Sequence, residues 1–124
     1  MRVEINKRVF GYSGEQKALE FLEEQGLSLI ERNCYLGRIG ELDLVMTNPL
    51  TREIVFVEVR SLLRSPIAAE QVISQQKLSR LMTCSRVWLY RRGLSEFKHA
   101  HRIDLVVVDF RVKPARLDWF ERIA

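Results

Sequence analysis

Asp43, Glu58 and Arg60 are the residues of this chain best suited to do chemistry. Glu58 and Arg60 lie near the end of the run Glu53 to Arg60, which is rich in β-branched and aromatic residues and apolar for most of its length. Such a run reads as a strand buried on both faces of a sheet, where an ionised group is costly unless it is paired or bound to a metal. Side chains alternate along a strand, so Glu58 and Arg60 share a face, and Glu41 and Asp43 share one on the preceding run, Gly40 to Met46. Residues 47–52, Thr-Asn-Pro-Leu-Thr-Arg, supply turn chemistry between the two runs. The resulting β-hairpin brings Asp43 toward Glu58. Two carboxylates held side by side repel each other, and an oxygen-seeking divalent cation, Mg²⁺ or Mn²⁺, relieves that repulsion. Such an ion polarises a phosphoryl oxygen and activates water, while a neighbouring cationic side chain steadies developing negative charge. The spacing D-x(14)-E-x-[K/R] taken alone fits a second reading equally well: a solvated strand end, with Asp43 capping a turn.

The remaining elements must hold that hairpin in place. Ser13-Gly14-Glu15-Gln16 has the form of a capping box, which predicts a helix beginning near Ser13. Ala18, Leu19, Phe21 and Leu22 form its apolar stripe and Gly26 its stop. Leu27 to Ile30 reads as a short first strand. A second helix is expected from Ala69 or Ser74 to Arg92, with Leu78, Leu81, Met82, Ser85, Trp88 and Leu89 at helical spacing and Gly93 as terminator. Arg102 to Phe110 is a strong strand, and Arg116 to Phe120 a short edge strand. This order of elements predicts an α/β or α+β layered fold, a mixed sheet flanked by helices.

The 124 residues suit one domain, 1–124. With 47% hydrophobic and 29% charged residues, the composition is that of an ordinary globular protein. A net charge of +4 favours an anionic partner such as nucleic acid without requiring one. Cys34 and Cys84 lack zinc-site spacing and read as buried thiols in a reducing compartment. No secretory signal is visible, and no apolar run approaches the roughly 20 residues that span a bilayer. The expectation is a cytoplasmic protein with no membrane partner.

Several motifs follow one another in a fixed order: Gly11-Tyr12-Ser13-Gly14-Glu15, Arg32-Asn33, Gly40-Glu41-Leu42-Asp43-Leu44-Val45, Phe56-Val57-Glu58-Val59-Arg60, Lys77, and Arg102-Ile103-Asp104-Leu105-Val106. Together they resemble the YraN-like family of small bacterial proteins, over about Gly11 to Phe120. That family is similar to Holliday-junction resolvases and other nucleases of the restriction-endonuclease-like superfamily. The resemblance implies a three-layer restriction-endonuclease-like fold with a central mixed sheet. It implies Asp43 and Glu58 as metal ligands, the Val59 backbone carbonyl as a further ligand, and Glu15, at the start of the first helix, as an accessory acid. Glu41 is a weaker candidate. Where the superfamily places lysine this chain has Arg60, which keeps the charge and grips phosphate but cannot act as a proton-transfer base. Lys77, from the second helix, could take over that role.

Between Lys77 and Arg102 the basic residues are Lys77, Arg80, Arg86, Arg91, Arg92, Lys98 and Arg102, against the single acid Glu96. Of these, Lys77, Arg80, Arg91 and Arg92 are the candidates for tracking a phosphate backbone; a solvated helix face is the competing reading. His99 and His101 read as a titrating loop pair rather than metal ligands. Asp104 reads as structural, pairing with a basic side chain or capping a backbone group, and Trp88 and Trp119 as core anchors. Three functions are consistent with this pattern. The first is a Mg²⁺- or Mn²⁺-dependent nuclease acting on DNA, including branched or damaged DNA. The second is a non-catalytic nucleic-acid-binding protein with a degenerate site, and the third a protein-interaction adaptor. The resolvase resemblance also suggests a homodimer.

Overall fold

The computed structural model describes residues 3–63 and 73–124, with side chains described from residue 13 onward. The elements run α1 (Val3–Glu24), β1 (Ser28–Tyr35), a single 3₁₀ turn (Gly37–Ile39), β2 (Glu41–Thr47), β3 (Ile54–Leu62), α2 (Gln75–Arg91), β4 (His101–Asp109) and β5 (Arg116–Phe120). The five strands form one sheet in the order β1-β2-β3-β4-β5. β3 and β4 are parallel, joined through α2, and every other pair is antiparallel. This is an α/β fold, a central mixed sheet flanked by helices, as the order of sequence elements predicts.

Alternation along β3 divides the core in two. Val55, Val57 and Val59 pack with Ala18, Leu19 and Leu22 of α1, while Ile54 and Phe56 pack with Leu81, Cys84, Trp88 and Leu89 of α2. Trp88 meets Phe56 edge-on, with centroids 5.5 Å apart. Cys34 and Cys84 are free and buried.

Both helices stop where glycine allows a left-handed turn. Gly26 has φ 99°; its amide donates to the Glu23 carbonyl, and that of Leu27 donates to the Leu22 carbonyl. Gly93 (φ 71°) and Leu94 repeat the pattern on Tyr90 and Leu89. α2 starts at the Ser74 cap, whose hydroxyl accepts from the Lys77 amide at 3.0 Å. Ala69, the earlier start considered for this helix, lies outside the described residues.

The start of α1 departs from expectation. The backbone is already helical at Val3, so Ser13 lies inside the helix and does not cap it. No proline interrupts residues 3–24, and each interior glycine costs a helix only about 1 kcal/mol. Gly14 faces β3, where a Cβ would meet the Ser61 hydroxyl and turn it aside. β1 also runs on to Tyr35, well past Ile30.

Near the start of β4 a polar cluster holds the C-terminal segment. Asp104 is fully buried and accepts from Arg102 Nε at 3.0 Å, Trp119 Nε1 at 2.9 Å and the Arg122 amide at 2.8 Å. Arg102 and Arg122 both reach Glu53, each at 3.1 Å. Asp104 therefore has the structural role expected of it. Removing one partner of such a buried set leaves the others uncompensated. Asp104→Ala is expected to cost roughly 3–5 kcal/mol in denaturant unfolding; a loss under about 1 kcal/mol would show that the cluster is dispensable.

Candidate metal centre

The β2–β3 ladder stops short of Asp43. Its last pair toward that end is Leu44↔Val57, and beyond it the Asp43 side chain takes over: Oδ2 accepts from the Val59 amide at 2.9 Å. A carboxylate thus stands where a strand carbonyl would otherwise be. The N–H and C=O of one strand residue point to the same edge, so the Val59 carbonyl also opens toward Asp43. The gap between the two strands is lined with oxygen.

Glu58 sits beside this gap and is 3% exposed. Its carboxyl group neighbours that of Asp43, and the two like charges disfavour each other. Arg60 Nε approaches Glu58 Oε2 at 3.2 Å, and Lys77 Nζ approaches the same oxygen at 3.7 Å. Arg60 arrives by strand alternation, two residues along β3. Lys77 arrives because the Ser74 cap sets the first turn of α2 over this face. Burial pushes the Glu58 carboxyl up to about 7, the Asp43 charge pushes the same way, and Arg60 and Lys77 pull against both.

Glu15 reaches the site from the opposite helix. It lies in the middle of α1, not at its start as expected, because the helix begins earlier. Burial again raises its carboxyl to about 7, with Asp43 next in effect and Glu41 adding to it; Arg32 and the Asn33 side-chain amide oppose the shift. Asp43 is thus the charge that disfavours ionisation of both Glu15 and Glu58. Three elements, α1, β2 and β3, bring acids toward one place, and cations from β3 and α2 border it.

The donor set is hard and oxygen-rich. Among the described residues no group of three or more His, Cys, Asp or Glu side chains is arranged to enclose an ion unaided. Mg²⁺ does not need such a cage: it keeps several waters and is held by one or two carboxylates together with a phosphate. An Asp–Glu pair whose charges repel each other fits that requirement.

The basic residues divide into two groups. Arg80 and Arg91 are exposed, and the Arg80 stem lies against Gly40 at the start of β2. Arg92 is engaged elsewhere: it donates to Glu31 at 3.1 Å and lies 4.5 Å over the Trp88 ring. Arg86 pairs with Glu96 at 2.8 Å, and Arg102 belongs to the Asp104 cluster. His101 begins β4, with Nδ1 2.8 Å from the His99 carbonyl. Asn33 was not singled out for the site by its sequence context; the Arg32-Asn33 pair was the only signal.

Among the described residues no helix is long and apolar enough to cross a membrane. Known proteins resemble the chain over most of its length. It is 36% identical over 109 residues to a UPF0102 protein of Aliivibrio salmonicida, covering 87% of this chain and 86% of the relative. It is 38% identical over 107 residues to one from Brachyspira hyodysenteriae, covering 84% and 85%. A third relative, from Herminiimonas arsenicoxydans, is 36% identical over 104 residues, covering 83% and 79%. The model of the uncharacterised protein family UPF0102 matches residues 14–108, the stretch that holds Glu15, Asp43, Glu58, Arg60 and Lys77. The chain belongs to that family, the one its YraN-like motifs resemble.

Proposed function

We propose that this protein is a Mg²⁺- or Mn²⁺-dependent phosphodiesterase that cleaves DNA, with branched or damaged DNA as its substrate class. The observation that carries this reading is the Asp43–Glu58 carboxyl pair at the split between β2 and β3, with Arg60 and Lys77 both directed at Glu58. Asp43, Glu58 and the Val59 carbonyl would hold the ion, with Glu15 as an accessory ligand. When bound, it would polarise a phosphoryl oxygen and make an attacking water more acidic.

The protein's own residues divide the remaining work. Arg60, whose side chain is 39% exposed, can turn its guanidinium from Glu58 to a substrate phosphate and grip it through two donors. Lys77, which approaches Glu58 from the α2 side, would orient the attacking water. Arg80 and Arg91 extend the positive surface for the DNA backbone, a charge contact without sequence preference. A two-fold homodimer would match a symmetric junction, and a reducing cytoplasm suits the two free thiols.

A second reading is favoured by Arg60 standing where lysine is expected: a module that binds nucleic acid through the same surface but does not cleave it. Asp43→Asn separates the two, because the amide oxygen can still accept from the Val59 amide while the charge is gone. The expected result is a loss of metal-dependent cleavage of more than about a hundredfold with an unchanged unfolding midpoint. Intact branched, nicked and single-stranded substrates with the wild type, alongside salt-sensitive binding that survives the substitution, would establish the binding module. The division between cations is checked separately: Lys77→Ala is expected to lower the cleavage rate at least about a hundredfold. Unchanged cleavage in Lys77→Ala together with abolished cleavage in Arg60→Ala would reverse the assignment.

The raised carboxyls of Glu15 and Glu58 set a pH dependence. A carboxyl raised in the folded state makes the metal-free protein lose stability as pH rises from its unfolded value, 4.5, to about 7. Cation binding needs the ionised forms and releases protons. Mn²⁺ is therefore expected to raise the melting temperature more at pH 8 than at pH 5.5, as read by thermal scans with and without the ion. An equal shift at both values would mean that these carboxyls are not the ligands.

A further inference from the structure

Asn33 has an unusual conformation for its place in the sheet. It lies inside β1, yet its φ is 53°, in the left-handed region that few residues other than glycine enter and that asparagine tolerates better than most. The pairs Arg32↔Leu44 and Cys34↔Leu42 bracket it, which places Asn33 opposite Asp43.

Regular alternation would keep residues 32 and 34 on one face. Instead, Arg32 donates to Gln16 of α1 at 2.9 Å, whereas Cys34 packs in the cluster on the α2 side. β2 makes the same change, with Leu44 in the α1 cluster and Leu42 in the α2 cluster. Both strands switch faces together at the Asn33–Asp43 position, and there Asp43 leaves the ladder to accept from Val59. The Asn33 side-chain amide also neighbours the Glu15 carboxyl and favours its ionised form.

We propose that Asn33 is a positioning residue of the carboxylate site: its left-handed backbone turns Asp43 toward Val59, and its side-chain amide holds Glu15 beside Asp43. This rests on the metal reading above. If asparagine were present only because it tolerates a positive φ, glycine would serve as well or better. Glycine keeps the backbone turn and removes the amide, so the two roles can be separated.

The test is a Mn²⁺ titration of the full chain, followed by the electron paramagnetic resonance of the free ion, with melting temperatures of the metal-free proteins. Asn33→Gly and Glu15→Gln are each expected to weaken Mn²⁺ binding roughly tenfold, with melting temperatures near that of the wild type. The double variant should bind no more weakly than Glu15→Gln, because both changes remove one interaction. Asn33→Ala, which loses both amide and turn, should melt below Asn33→Gly; an equal or higher melting temperature contradicts the backbone half of the proposal. Wild-type affinity in Asn33→Gly, or losses that multiply in the double variant, overturn the Glu15 half. A wild type that binds no Mn²⁺ removes the metal reading and this proposal with it, an outcome distinct from binding that Asn33→Gly leaves unchanged.

Discussion

Two neighbouring carboxyl groups at a split in the sheet constrain the rest of this structure. Asp43 satisfies the Val59 amide in place of a strand partner, and Glu58 lies buried against it. Ionising both carboxyls is costly in such a place. The surroundings answer that cost with charge: Arg60 along the same strand, and Lys77 from the first turn of α2. The Ser74 cap, the parallel β3–β4 pair and the packing of Trp88 on Phe56 together fix where that turn falls. A divalent cation would favour the ionised Glu58 beside Asp43, so occupancy and stability are coupled through the same pair.

The buried Asp104 next to this place in the sheet is closed off by its own partners. Asp104, which pairs with Val57 in the parallel ladder, forms a closed set with Arg102, Glu53 and Arg122. That cluster anchors the C-terminal segment through Trp119 and the Arg122 amide. The same residue types serve different ends because one set is closed by mutual pairing. The other leaves two raised carboxyls around Asp43, with a half-exposed arginine at the rim.

The hairpin and its convergence of Asp43 on Glu58 could be read from the sequence because strand alternation and one short turn are local rules. Asp104 was legible for a similar reason: a carboxylate inside an apolar strand must be paired, and Arg102 stands two residues away. The start of α1 was misread because Ser13 to Gln16 imitates a cap inside a helix that has already begun. The extent of β1 was hidden by two breaks in alternation, the register shift between Leu29 and Glu31 and the left-handed Asn33. Arg92 pairs with Glu31, distant in sequence, a contact that its place in the basic run does not reveal. Long-range pairing decides which cations of a basic run stay available, and a linear charge count cannot supply it.

Anomalous diffraction from a crystal soaked in Mn²⁺ tests the central claim most directly. The account requires an anomalous peak bounded by the carboxylates of Asp43 and Glu58 and the carbonyl of Val59, with oxygen ligands at about 2.1–2.2 Å, near the Mg²⁺ distance. An empty gap between β2 and β3 in a crystal that takes up Mn²⁺ elsewhere, such as at His99 and His101, would contradict it.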